Sequence, residues 1–122
     1  MGEQMGGDIW PTELRLMDQG KTLRIAFEGG EVFTLSAEFL RVVSPSAEVQ
    51  GHSPEQRITV AGKSKVAVRN IEPVGNYAVR LVFDDGHATG FYTWEYLRQI
   101  GAERDRLWAR YLDEIAEKGL SR

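Results

Sequence analysis

The sequence predicts an α+β fold: a mostly antiparallel β-sheet built from two hairpin–helix units, followed by a C-terminal helix. Three observations predict it. Short runs alternate apolar and polar residues, as at Leu23, Ile25 and Phe27, which is the period of a half-buried strand. Glycine-containing turns separate these runs. Beyond Gly101 the apolar residues change to helical spacing, with Leu107, Trp108, Tyr111, Leu112 and Ile115 on one face.

Taken in order, residues 1–9 carry little to bury and are expected to be a disordered start. Leu14 and Leu16 open the first strand, and Asp18-Gln19-Gly20-Lys21 supplies turn chemistry before Leu23–Phe27. Glu28-Gly29-Gly30-Glu31 turns the chain into Val32–Leu35, because Gly-Gly allows the positive φ of a tight hairpin. Ser36 is placed to cap a short helix at Ala37–Arg41. Ser44–Lys65 is irregular, with a weak strand expected at Arg57–Val60. Val66–Ile71 alternates again, and Pro73-Val74-Gly75-Asn76 reads as a turn. Tyr77–Phe83 is the strongest strand signal; Asp84-Asp85-Gly86-His87 turns it into Ala88–Tyr92, and Thr93 caps a second helix.

The chain repeats itself. Leu23-Arg24-Ile25-Ala26-Phe27 matches Val79-Arg80-Leu81-Val82-Phe83, Gly30 matches Gly86, and Ser36–Arg41 matches Thr93–Arg98 after a one-residue insertion. Each unit reads hairpin, cap, short helix. Leu23, Ile25, Phe27, Leu35, Leu40, Val79, Leu81, Phe83, Trp94 and Leu97 are the expected core.

Composition excludes several function classes. The 122 residues carry 15 basic and 18 acidic side chains, a net charge of −3, so no basic excess is available for a nucleic-acid backbone. The absence of cysteine excludes disulfides, thiolate metal sites, bound iron–sulfur clusters and cysteine nucleophiles. No apolar run approaches the roughly 18 residues of a membrane span, and the start lacks a signal pattern. A cytoplasmic protein without membrane or nucleic-acid partners is expected.

Candidate chemistry is sparse. His87 sits beside Asp85 in a turn; with His52 these residues form a candidate metal set for iron or zinc, with Glu48 as another carboxylate. The alternative reading of Asp-Asp-Gly-His is turn chemistry with a polar tip. Ser44 and Ser46 lie in a proline-containing loop without a nucleophile elbow, so they read as loop hydrogen-bonders and no catalytic residue is assigned. Gly29-Gly30 lacks the Lys-Ser/Thr of a phosphate loop. Trp108, Tyr111, Leu112 and Ile115 form a candidate interaction face, for a protein partner or for self-association, unless they pack on their own domain.

Five segments together resemble the DUF971 family, the gamma-butyrobetaine hydroxylase-like N-terminal domain. They are Pro11-x-x-Leu14, Leu35-x-Ala37-Glu38-x-Leu40-Arg41, Ser44-Pro45-Ser46-Ala47-Glu48-Val49, Ile71–Ala78, and Phe83-x-Asp85-Gly86-His87-x-Thr89-Gly90-Phe91-Tyr92-x-Trp94. The resemblance covers residues 10–101 and leaves 102–122 as an accessory helix. In carnitine-pathway oxygenases such a domain precedes an iron/2-oxoglutarate catalytic domain and helps hold the dimer; in plants it is also fused to an iron–sulfur carrier ATPase. The resemblance therefore implies a non-catalytic binding module linked to iron-dependent oxygenases or iron–sulfur carriers. It also implies a structural zinc held by three cysteines and a histidine. The positions matching those ligands are Ser44, Ser46, Val49 and His87, and hydroxyls with an isopropyl group do not replace thiolates. No catalytic domain is expected after Gly101, and no cofactor is assigned.

Overall fold

The computed structural model describes residues 10–122, so the expected disordered start at 1–9 lies outside the described residues. Strands β1 (Pro11–Met17), β2 (Thr22–Phe27) and β3 (Val32–Ser36) form one antiparallel meander. Helices α1 (Ala37–Val42) and α2 (Ala47–Gln50) follow. Strands β4 (Val68–Val74), β5 (Ala78–Phe83) and β6 (Phe91–Thr93) form a second meander, followed by α3 (Trp94–Ala102) and α4 (Arg104–Glu117). The α+β class holds, with the sheet divided into two three-stranded sheets. No strand forms at Arg57–Val60: its polar groups bond instead to the helices, as where Val60 carbonyl accepts the Tyr111 hydroxyl at 2.7 Å.

The repeat extends further than the sequence pattern, because each half begins with an extra strand. Both first strands carry a bulge at the same place, between Pro11 and Glu13 and between Val68 and Asn70. The hairpin turns match bond for bond. Phe27 N–H donates to Glu31 carbonyl at 2.8 Å and Phe83 N–H to His87 carbonyl at 3.0 Å. Gly30 and Gly86 take φ of +93° to +100°, which only glycine adopts without strain. Ser36 Oγ accepts Phe39 N–H at 3.0 Å and Thr93 Oγ1 accepts Tyr96 N–H at 3.1 Å, each satisfying an amide that the first helical turn leaves free.

Alternation decides the core. Along β2, Leu23, Ile25 and Phe27 are buried while Thr22, Arg24 and Ala26 are not. Leu35, Leu40, Val79, Leu81, Phe83 and Leu97 join them as expected, with Phe39, Tyr92 and Ile100 added. Trp94 is only partly buried, because its indole N–H donates outward to Asn76 carbonyl at 3.0 Å. Helix α4 packs on its own domain: Tyr111 and Ile115 are buried in the core, and Trp108 meets Phe39 edge-on. Behind it the buried Glu38 carboxylate is neutralised by Arg122, whose Nε and Nη2 lie 3.0 and 2.8 Å from its two oxygens. Among the described residues no helix is long and apolar enough to cross a membrane.

Two outcomes follow. Gly86→Val should cost more than about 1 kcal/mol in a urea melt, and Gly86→Ala less. Because the space around Gly86 is open, this cost is conformational and not a clash. Ending the chain at Ala102 removes Tyr111 and Ile115 from the core and Arg122 from Glu38, so the thermal midpoint should fall by many degrees.

Candidate functional site

The site lies where the loop after α1 meets the turn between β5 and β6. Helix α1 ends at Val42 and the chain cannot continue helically through Pro45. Ser46 restarts it as the cap of α2, its Oγ accepting Glu48 N–H at 3.1 Å. That short helix turns Glu48 toward the hairpin. On the other side, Asp85 Oδ1 accepts His87 N–H at 2.9 Å, and this local bond turns the imidazole inward.

Ser44, His87 and Glu48 then form a continuous chain. Ser44 Oγ stands 2.8 Å from His87 Nε2, and His87 Nδ1 stands 3.1 Å from Glu48 Oε1. The hydrogen-bonding network assigns the ring proton to Nδ1, which donates to Glu48, while Nε2 accepts the Ser44 hydroxyl. Ser44 Oγ in turn accepts Ser46 N–H at 3.3 Å, and Ser46 Oγ shares a 2.7 Å bond with Thr89 Oγ1. Gln50 donates to the Ser44 carbonyl at 2.9 Å. Ser44 is fully buried and the His87 side chain is 3% exposed, whereas Glu48 reaches in from solvent at 63%.

Serine, imidazole and carboxylate in this order also describe a hydrolytic triad, but no carbonyl substrate can reach a hydroxyl with no exposed surface. Behind the loop a cavity of about 70 Å³ is lined by Gln50, Arg57, Tyr96, Arg110, Tyr111 and Glu114. Arg57 bonds Glu114 across it, and the Tyr96 hydroxyl donates to Val43 carbonyl. Burial pushes the Tyr96 phenol up to about 12, so it stays a donor.

The structure places the sequence candidates unequally. His52 is exposed in the loop beyond α2. Asp85 Oδ2 is taken by Arg41 Nε at 2.8 Å and Lys63 Nζ at 2.7 Å. The set His87, His52 and Asp85 is therefore not assembled, and among the described residues no three His, Cys, Asp or Glu side chains stand at metal-binding spacing. Ser44, Ser46 and His87 do come together, while Val49 is buried as an ordinary core residue. Of the expected interaction face, Tyr111 and Ile115 are buried in the domain itself, Trp108 is partly covered, and Leu112 alone is exposed. Arg41, Lys63 and Thr89 were not read as site residues. The Thr89 signal was its place two residues after His87; Arg41 and Lys63 have no local signal.

The electrostatics are one-sided. Burial, followed by the nearby Arg41 charge, holds His87 below its ordinary value of 6.5, against the opposing pull of Glu48 and Asp85. For Asp85, burial works upward, but the bonds from Lys63, His87 N–H and Arg41 outweigh it and hold the carboxyl well below the usual range. As pH falls, the unfolded chain therefore protonates His87 before the folded chain does. Its contribution to stability is complete above about pH 6.5 and is lost as pH falls from there through the folded-state value. Urea melts between pH 7.5 and 5 should show this decline, and His87→Gln should flatten it.

Comparison with known proteins identifies relatives of the whole fold. Two solution structures determined by NMR are similar to this chain. One is 46% identical, with a TM-score of 0.80, covering 93% of this chain and 89% of that one. The other is 43% identical, with a TM-score of 0.81, covering 100% and 89%. A 1.93 Å crystal structure from Acidithiobacillus ferrooxidans, of a protein of unknown function in the DUF971 family, is 40% identical with a TM-score of 0.63. It covers 76% of this chain and 93% of its own. No curated protein matches the chain. The family model described as gamma-butyrobetaine hydroxylase-like, N-terminal, matches residues 14–98, which takes in both hairpins, α1, α2 and Ser44, Ser46, Glu48, His87 and Thr89. The chain belongs to that family.

Proposed function

We propose that the protein is a non-catalytic binding module of the cytoplasm that meets another protein through the outer side of its second sheet. The observation that carries this reading is Phe91. It lies on β6, an edge strand of that sheet, and is 52% exposed. Directly across the ladder is Arg80, itself held by Glu72 on β4 through a 2.9 Å bond from Nε. An open aromatic ring thus stands beside an oriented arginine, a combination enriched at protein interfaces. The unpaired side of β6 adds free backbone groups that a partner strand can use. The non-catalytic part of the reading is supported by the burial of Ser44 and the engagement of both His87 nitrogens. The kind of partner, an iron-dependent oxygenase or an iron–sulfur carrier, is what the family resemblance of the sequence implies.

The test is affinity capture from cells of the natural source with wild-type and Phe91→Asp baits, with sedimentation of both. Retention of such a partner by the wild type and its loss with Phe91→Asp is the expected result. Equal retention by the two baits overturns the assignment of this face. A self-associating species lost in Phe91→Asp makes the partner a second copy of the chain.

A further inference from the structure

The two halves of the molecule grip each other in the same way. Arg41, at the end of α1, bonds the β5–β6 turn at Asp85; Arg98, its counterpart on α3, bonds the β2–β3 turn at Glu31 at 2.6 Å. Three residues past each arginine the pattern recurs. A Cβ on Gly90 would come within 2.5 Å of Ser44 Oγ, and one on Gly101 within 2.6 Å of the Phe33 ring. Ser44 corresponds to Gly101 and Gly90 to Phe33, so these are one contact made twice.

The two places occupy corresponding positions of the repeat and differ in chemistry. Around Glu31 the ion pair is open, with its side chains 46% and 43% exposed. Around His87 the arginine and aspartate are 12% and 16% exposed, and the Ser44–His87–Glu48 chain fills the space beside them. Polar groups are not buried without cause, since each unsatisfied one costs about 1–3 kcal/mol.

The zinc that the family resemblance implies does not fit these residues. A tetrahedral ion bonded to two ligands at about 2.0–2.1 Å holds them roughly 3.4 Å apart, whereas Ser44 Oγ and His87 Nε2 are 2.8 Å apart, in direct hydrogen-bond contact. Neutral hydroxyls are also poor zinc donors, and Val49 is no donor at all. We infer that Ser44, His87 and Glu48, with Ser46 and Thr89, form a metal-independent clasp. This clasp fastens the loop after α1 onto the second hairpin, the task an ion would perform here. Each link has a donor and an acceptor. Serine donates to imidazole, imidazole to carboxylate, and the Ser46 amide to serine. The carboxylate at the open end keeps the ring proton on Nδ1, so Nε2 stays an acceptor.

The experiment uses the full chain purified without a metal-binding tag. Titration with zinc and with iron(II) under anaerobic conditions should show no stoichiometric binding, and neither metal nor chelator should move the thermal midpoint. Ser44→Ala and His87→Ala should each lower that midpoint by at least about 4 °C. The double variant should lose little more than either single one, because the second change removes a bond already broken. Glu48→Ala, at an exposed side chain, keeps the fold and removes the acceptor of the Nδ1 proton: the His87 ring nitrogens should shift toward the other tautomer by NMR, and amides of residues 44–50 should exchange faster. One zinc per chain with a raised midpoint, lost in His87→Ala, overturns the inference. So do additive single effects together with an unmoved tautomer in Glu48→Ala.

Discussion

Each half of this molecule is closed by the other half's hairpin. A three-stranded meander with one or two short helices cannot cover both ends of its own apolar face. Here the missing cover comes from the neighbouring copy. Arg41 and Arg98 each reach across to the opposite turn, and Ser44 and Gly101, three residues further on, lie against the opposite half at Gly90 and Phe33. The Tyr92 hydroxyl, from the second half, donates to Leu40 carbonyl in the first at 2.6 Å and satisfies a buried group at that seam. Neither half has this arrangement without the other, so folding of the two is coupled at the seam.

The candidate site is the seam made polar. Two contacts at corresponding positions of the repeat carry different side chains. At one, glycine and phenylalanine give close apolar contact; at the other, serine and glycine leave a hydroxyl pointing at an imidazole. Once the hydroxyl and ring are buried, electrostatics dictates the rest. Burial first, and then the nearby Arg41 charge, disfavour a charged imidazole, and a neutral ring both donates and accepts. Glu48 and Ser44 supply those two partners. Asp85 balances Arg41 and Lys63 together, which keeps its carboxylate out of any metal set. Nη1 of Arg41 is the buried nitrogen, among the described residues, that finds no protein partner.

Local features of this fold were legible in the sequence because their causes are local. The Gly30 and Gly86 turns, the Ser36 and Thr93 caps and the alternation along β2 are set by residues within a few positions of one another. The division into two sheets was not legible, since it depends on which strand finds which partner. The cluster was legible only by resemblance, which placed Ser44, Ser46 and His87 together without saying what bonds they make. Ser44 and His87 are 43 residues apart, and nothing in either neighbourhood announces the other. One signal was available and unused. Gly90 and Gly101 stand in no turn, and a glycine outside a turn marks close approach of another segment. Both lie at the seam.

The last stretch of chain is tied to the same seam. The family block ends at residue 98, and the apolar stripe beyond it reads as an addition. The repeat suggests otherwise, because α4 follows α3 as α2 follows α1. Helix α2 is one turn long and is held by the hairpin it faces. Helix α4 has no such hairpin to lean on at its far end, and its length makes up the difference. It carries Tyr111 and Ile115 into the core and runs beside 57–62, where Glu114 meets Arg57 and Gly62 N–H donates to Ser121 carbonyl at 2.8 Å. That irregular segment has no sheet partner, and only Val60 and Ala61 of it pack against the core. Its order depends on α4, and through Lys63 so does one of the two cations on Asp85. The terminal helix thus supports, at one remove, the turn that presents His87.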